Sequence, residues 1–136
     1  MKDNNYYGTF IEVAEDCPVA AAEIPASKGE SKTVPLMQYE MIANHPYRYT
    51  QEDVLFEVFA DRSEIPEDQR QAAREKFFSK GQPCLRASSL GKRYGWGIHH
   101  DAEGKMALYA VESADYQAFL ADDAIKKVKA MRSKRV

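Results

Sequence analysis

The alternation of apolar and polar side chains predicts a strand near the N-terminus. Residues 7–13, YGTFIEV, are rich in aromatic and β-branched side chains and place Ile11 and Val13 opposite Phe10. The segment from residue 15 to residue 35 contains three prolines and one glycine and has no clear period. Residues 14–33 are therefore predicted to form a long loop.

Helical periods follow this loop. Thr33, two residues before a proline, predicts the start of a helix that continues to residue 44. Thr50 begins a second helix with an approximate capping box, and a third is predicted from near Pro66 to Gly81. The apolar side chains of the second helix recur on one side, which predicts that they are buried: Val54, Leu55, Val58 and Phe59.

The segment GKRYGWGIHHDAEGKMALYAV, residues 91–111, predicts a β-hairpin. Its DAEG sequence has Asp101 at the first position and Gly104 at the fourth position of a type I turn. The register that follows pairs Asp101 with Lys105, Ile98 with Leu108 and Trp96 with Ala110. Trp96 and Ile98 are then expected to be buried on one face, together with Met106 and Leu108.

Two glycines lie on the opposite face of this hairpin. Gly95 and Gly97 remove side chains beside Tyr109, so the ring of Tyr109, a closely packed helix or a ligand has to fill the space. Close packing is the interpretation we favour, because strand glycines usually mark it.

Two helices are predicted after the hairpin. Ser113 is the expected N-cap of the first, and Asp122 or Asp123 that of the second, which would bury Ile125, Val128 and Met131. The whole pattern predicts one α+β domain over residues 1–136. In this fold a small antiparallel sheet, made of the N-terminal strand and the 94–111 hairpin, packs against several helices.

Composition narrows the class of protein. Apolar residues make up 44% and charged residues 29% of the chain, and no apolar run has the length of a signal peptide or a membrane span. We therefore expect a cytoplasmic protein with no membrane contact. Cys17 and Cys84 are too few for a disulfide framework and lack the spacing of a zinc site, so reduced thiols are predicted.

Charge is unevenly distributed along the chain. Residues 1–80 carry nine basic and fifteen acidic side chains, whereas residues 81–136 carry ten basic and six acidic ones. Residues 126–136 form a basic C-terminal tail with six basic side chains and no acidic one. Such a block attracts a polyanion or keeps a terminus soluble.

One segment resembles a phosphate loop without matching the P-loop pattern. In SSLGKRYG, hydroxyls and backbone N–H groups lie next to fixed positive charge, so a phosphate or carboxylate could bind there. The alternative is a solvated hairpin loop. The candidate ligand-binding residues are Arg86, Ser88, Ser89, Lys92, Arg93 and Tyr94.

The histidines and Cys84 are weaker candidates for a metal site or a catalytic site. His99 and His100 are adjacent on a predicted strand and point to opposite faces, so they cannot readily share a metal ion. Cys84 lies where another strand is predicted to begin, and a nucleophilic thiol there would need a base such as His99 or His100. The sequence predicts no metal site, no cofactor and no catalytic residue.

Aromatic side chains indicate nucleic-acid binding as an alternative function. With the basic loop and tail they could form a surface that stacks bases and contacts phosphates, unless they are core residues: Tyr6, Tyr7, Tyr47, Tyr49, Tyr94, Trp96 and Tyr109.

Several segments together carry a resemblance over nearly the whole chain. NYYGTFIEVAEDCP, PYRYTQEDVLFEVFA, FFSKGQPCLRASSLGKRYGWGIH, GKMALYAVES and KAMRSKR resemble a family of small bacterial proteins known only as a domain of unknown function. The resemblance implies a stand-alone bacterial cytosolic protein. It implies no reaction, ligand or functional residue.

Three functions remain open at this point. The first is a small non-catalytic binding or interaction module that recognises an anionic ligand or a protein partner. The second is a nucleic-acid-associated protein that uses the basic tail and the 86–94 loop. The third is a small enzyme that uses Cys84 or a histidine. The sequence leaves the oligomeric state open.

Overall fold

The computed structural model describes residues 5–133, in which one four-stranded sheet packs against helices. In chain order the elements are β1 (Thr9–Glu12), α1 (Val34–Asn44), α2 (Gln51–Arg62), α3 (Arg70–Phe78), α4 (Ser89–Lys92), β2 (Trp96–His100), β3 (Met106–Ala110), α5 (Ala114–Ala121) and β4 (Lys126–Lys129). Short 3₁₀ turns lie at Glu67–Gln69 and Leu85–Ala87. The fold is α+β, as predicted.

The sheet is mixed, because it includes β4, a strand that the sequence did not predict and that runs parallel to β1. The strand order is β3-β2-β1-β4, with antiparallel pairs between β3, β2 and β1 and a parallel pair between β1 and β4. The prediction of a last helix with a buried Met131 is therefore wrong. Residues 126–129 are extended, Val128 lies beside Ile11, and Met131 is 50% exposed.

The predicted hairpin register is confirmed. Trp96 pairs with Ala110 and Ile98 pairs with Leu108. One carboxylate oxygen of Asp101 accepts the backbone N–H groups of Glu103 and Lys105, each at 2.9 Å. Gly104 has a φ of +83°, a conformation that glycine adopts without strain.

Three predicted helix starts are confirmed by their caps. The hydroxyl of Thr33 accepts the N–H of Leu36, and the hydroxyl of Ser113 accepts the N–H of Tyr116. Thr50 and Asp53 form both hydrogen bonds of a capping box. The third predicted helix, α3, ends at Phe78, earlier than the end predicted at Gly81.

The main core lies between one face of the sheet and helices α1 and α2. Its buried side chains include Ile11, Ile98 and Met106 from the sheet and Ile42, Val54, Val58, Leu85 and Leu90 from the helical side. Trp96 and Leu108 are only partly buried against this core, whereas both were expected to be buried. Phe59, predicted to be buried, is 40% exposed.

The other face of the sheet packs against α5. A Cβ at Gly97 would overlap the ring of Phe10 and lie 2.7 Å from Cε2 of Tyr116. The phenyl rings of Phe10 and Phe119 stack beside this point, with centroids 5.0 Å apart. Close packing therefore fills the space above Gly97, with Tyr116 and Phe10 in place of Tyr109.

Residues 14–33 contain no helix or strand element, but they pack against the hairpin. The N–H of Glu23 donates to the carbonyl of Tyr94 at 2.9 Å, and the indole N–H of Trp96 donates to the carbonyl of Glu23 at 2.8 Å. Gly95, with a φ of +80°, lets Val19 and Ala22 approach the chain closely.

None of the helices within residues 5–133 combines the length and the apolar character needed to cross a membrane.

Candidate functional site

The segment predicted to bind an anion is folded as two short helical turns. The 3₁₀ turn at Leu85–Ala87 leads into α4, so the strand predicted to begin at Cys84 is wrong. Ser88, with extended backbone, caps α4 through its hydroxyl, which accepts the N–H of Leu90 at 3.1 Å. This serine cap explains why a helix begins here where a strand was predicted, because a serine at this position favours a helix start.

This segment lies between the N-terminal loop and the end of β4. The carbonyl of Gly91 accepts the N–H of Ala14 at 2.9 Å, and a Cβ at Gly91 would lie 2.9 Å from Cβ of Ala130. The guanidinium of Arg86 donates to the carbonyl of Lys129 at 2.6 Å. The basic loop and the basic C-terminal segment, separated in sequence, therefore meet in the structure.

A groove of about 340 Å³ opens where these segments meet, and we call it the Arg93 groove. Its lining residues are Asp16, Pro18, Arg93 and Ser133. The two carboxylate oxygens of Asp16 accept the N–H of Ser133, at 3.2 Å and 2.9 Å. Arg93 is exposed and forms no ion pair with another residue between 5 and 133.

Ion pairs lie beside this groove. The carboxylate of Glu15 is 2.9 Å from the ammonium of Lys129 and 3.4 Å from the guanidinium of Arg132. The hydrogen bond and charge of Lys129, followed by the charge of Arg132, lower the pKa of Glu15, so Glu15 stays ionised. Part of the positive charge of the C-terminal segment is thus balanced within the fold.

The other predicted ligand residues are distributed around α4. The hydroxyl of Ser88 is buried and donates to the side-chain carbonyl of Gln38 at 2.6 Å. Ser88 and Ser89 line a second groove of about 230 Å³, which also contains Cys84. Lys92 and Tyr94 are half-buried. Arg93 is thus the one predicted residue that lines the Arg93 groove.

Cys84 is in contact with a phenol. The hydroxyl of Tyr6 donates to Sγ of Cys84 at 3.4 Å. Burial, followed by the contact with Cys84, raises the pKa of Tyr6 to about 12, although Arg86 opposes the shift. Within the described residues, neither His99 nor His100 is hydrogen-bonded to this thiol.

The two adjacent histidines do point to opposite faces of the sheet. His100 is fully buried beside the ring of Tyr6, and neither of its ring nitrogens has a hydrogen-bond partner among the described residues. Burial lowers the pKa of His100 to about 4. His99 instead stacks on Phe119, with ring centroids 4.4 Å apart.

A polar network on the α5 side was missed from the sequence. The hydroxyl of Tyr47 is 2.9 Å from Nδ1 of His99 and 2.7 Å from the hydroxyl of Tyr109. Tyr47 has a φ of +58°, an unusual conformation for a tyrosine. No local pattern indicates this network, because Tyr47 is 52 positions from His99 and 62 positions from Tyr109.

A second feature missed from the sequence is a groove between α2 and α3. It has a volume of about 540 Å³ and is lined by Phe59, Ile65, Ala73, Lys76, Phe77, Lys80 and Gln82. The sequence signal that could have found it is the pair of lysines flanking the apolar FF sequence at the end of α3.

No group of three or more histidine, cysteine, aspartate or glutamate side chains in residues 5–133 is arranged to hold a metal ion.

Comparison with known proteins identifies the family alone. No curated protein and no solved structure matches the chain. A family model described as "Family of unknown function (DUF6157)" matches residues 1–136, its full length. The chain therefore belongs to this family of unknown function.

Proposed function

We propose that the protein is a small non-catalytic binding module that recognises a compact anionic ligand in the Arg93 groove. The observation that carries this proposal is the position of Arg93 on the wall of a groove, where its guanidinium is exposed and forms no ion pair with any residue from 5 to 133. A guanidinium presents planar, paired N–H donors that match a carboxylate or a phosphate. The ligand class is therefore a small carboxylate or phosphate.

The acidic side chain in the groove is compatible with an anion. Both oxygens of Asp16 accept the backbone N–H of Ser133, which offsets part of their charge. Through this bond Asp16 holds Ser133 at the groove that Arg93 lines. We propose that Asp16 shapes the groove and that Arg93 provides the contact with the ligand.

The ion pairs beside the groove favour a compact anion over a nucleic acid. Glu15 holds Lys129 and Arg132, and the ammonium of Lys127 donates to the carbonyl of Asp122 at 2.6 Å. A polyanion needs several unpaired cations along a continuous stripe. Acidic side chains interrupt such a stripe here, so nucleic-acid binding is the alternative that the test has to distinguish.

A bacterial cytoplasmic setting is part of this proposal. The family resemblance implies it, and the free thiols of Cys17 and Cys84 are compatible with a reducing compartment.

The proposal is tested by mapping backbone amide shifts during titrations with inorganic phosphate, citrate and a short single-stranded oligonucleotide. We expect phosphate or citrate to move amides near residues 16–18, 93 and 133 at physiological salt. Shifts that appear only with the oligonucleotide, extend over β4 and fade with salt would support the nucleic-acid alternative. A groove that responds to none of the three would contradict the proposal.

A further inference from the structure

The groove between α2 and α3, here called the α2–α3 groove, has an apolar floor that is open to solvent. Phe59 is 40% exposed, and its ring lies 4.7 Å from that of Phe77, centroid to centroid. Phe77 in turn contacts the buried Phe56, with centroids 5.8 Å apart. The floor is therefore joined to the core through Phe77 and Phe56.

The C-terminal end of this groove is also fixed. The side-chain amide of Gln82 donates to the carbonyl of Phe77 at 2.8 Å. This bond holds the chain after α3 against the last turn of the helix, so Lys80 and Gln82 stay on the wall of the groove.

The positive side chains of α3 and of the segment that follows it fall into two groups. Arg70 pairs with Glu57 at 2.7 Å and with Asp61 at 3.0 Å, and Arg74 pairs with Asp53 at 3.0 Å, so these arginines join α3 to α2. Lys76 and Lys80 line the groove instead, and neither forms an ion pair within residues 5–133. The groove thus combines an apolar floor with two cations that no described acidic side chain pairs with.

The size of the groove distinguishes a small ligand from a folded partner. Its volume of about 540 Å³ is within the range of small-molecule pockets. Its seven lining residues are far fewer than the 20 to 30 that each side of a stable protein interface typically contributes.

We propose that the α2–α3 groove binds a carboxylic acid with an apolar chain. The chain lies on Phe59, Ile65 and Phe77, and the carboxylate lies between Lys76 and Lys80. This site is separate from the Arg93 groove and takes an amphiphilic ligand, whereas Arg93 contacts a compact anion.

The test uses three probes with ten-carbon chains, decanoate, decanol and decyltrimethylammonium, with the two ionic probes below their micelle concentrations and decanol below its solubility limit. We expect decanoate to move backbone amides of residues 59–82 and to bind more tightly than the other two. The double substitution Lys76→Gln/Lys80→Gln is expected to weaken decanoate binding about tenfold or more and to leave decanol binding unchanged. Lys28→Gln, at an exposed loop position, is the matched control and should leave both unchanged.

Three results would overturn this inference. The first is that decanoate causes no shift in residues 59–82. The second is that the three probes bind equally, which would show that the lysines do not select a carboxylate. An acidic amphipathic peptide could bind the groove more tightly than decanoate and displace it, which would indicate a protein partner. Because both lysines are exposed, the double variant is expected to fold, and its thermal midpoint verifies this.

Discussion

The ring of Tyr116 occupies the space that a side chain at Gly97 would need, since a Cβ there would lie 2.7 Å from Cε2 of the ring. Tyr116 is 3% exposed, and its hydroxyl accepts the N–H of Val13 at 2.9 Å. The ring is thus fixed by the sheet at one end and by the segment after β1 at the other. This contact sets how closely α5 packs on the hairpin.

Gly97→Val should destabilise the protein by about 3 kcal/mol, because the added side chain would overlap the buried rings of Phe10 and Tyr116. Chemical denaturation monitored by circular dichroism measures the change. Gly81→Ala is the matched control, since a Cβ at Gly81 has no atom within 4 Å. A Gly97→Val variant that unfolds at the same denaturant concentration as the parent would contradict the packing described here.

Stability should fall as the pH decreases from about 6.5 to about 4, because His100 is buried in its neutral form. The pKa of His100 is lowered to about 4, whereas an unfolded histidine takes up its proton near pH 6.5. Within this window the unfolded state binds more protons than the folded state, so acid favours unfolding. The contribution of this one side chain is about 3 kcal/mol over the window.

The His100→Leu variant isolates this contribution. It removes the titrating group and the two ring nitrogens that have no hydrogen-bond partner among the described residues, so it should be at least as stable as the parent near pH 7. Below pH 6 its stability should decline more slowly than that of the parent. Parallel pH profiles of the free energy of unfolding would show that His100 takes up a proton equally in both states.

Trp96→Phe should loosen the 14–33 segment without unfolding the hairpin. Phenylalanine keeps an aromatic ring near Tyr39 but removes the N–H that donates to the carbonyl of Glu23. The amide of Glu23 donates to Tyr94 and reports on this contact, so its hydrogen exchange should become about tenfold faster. The amides that pair β2 with β3 serve as the internal control. Unchanged exchange at Glu23 would show that the indole bond does not hold the segment.

Neither a chelator nor added zinc should move the thermal midpoint. The side chains of His99 and His100 lie on opposite faces of the sheet. Within residues 5–133 no three potential metal ligands are grouped together. Differential scanning fluorimetry with and without EDTA tests this. A reproducible decrease of several degrees with EDTA would point to a metal site that includes one of these histidines.

The parts of the fold predicted from the sequence are those that local chemistry determines. Asp101 and Gly104 are three positions apart and specify the hairpin turn. Thr33, Thr50 and Ser113 each cap a helix through a bond to a residue three positions later. In all of these the interacting groups are close in sequence, so the residue types alone predict the structure.

Apart from the strand predicted at Cys84, where the local Ser88 cap was overlooked, the predictions that failed depend on distant segments. The apolar spacing of Ile125 and Val128 fits a helix, but Val128 pairs with Ile11, more than 100 positions earlier. Contacts with distant segments also explain why the predicted ligand-binding residues do not form one cluster. Arg93 meets Asp16 and Ser133 only after β4 is placed beside β1, while the hydroxyl of Ser88 is occupied by Gln38.

The proposed contact between Arg93 and a compact anion is tested by the affinities of two arginine variants. The dissociation constants of citrate and inorganic phosphate are measured at physiological salt for the parent, for Arg93→Gln and for Arg48→Gln. Arg48 is also exposed and forms no ion pair within the described residues, which makes it the matched control. We predict that Arg93→Gln weakens binding about tenfold or more and that Arg48→Gln leaves it unchanged. Equal affinities for all three proteins would contradict the claim.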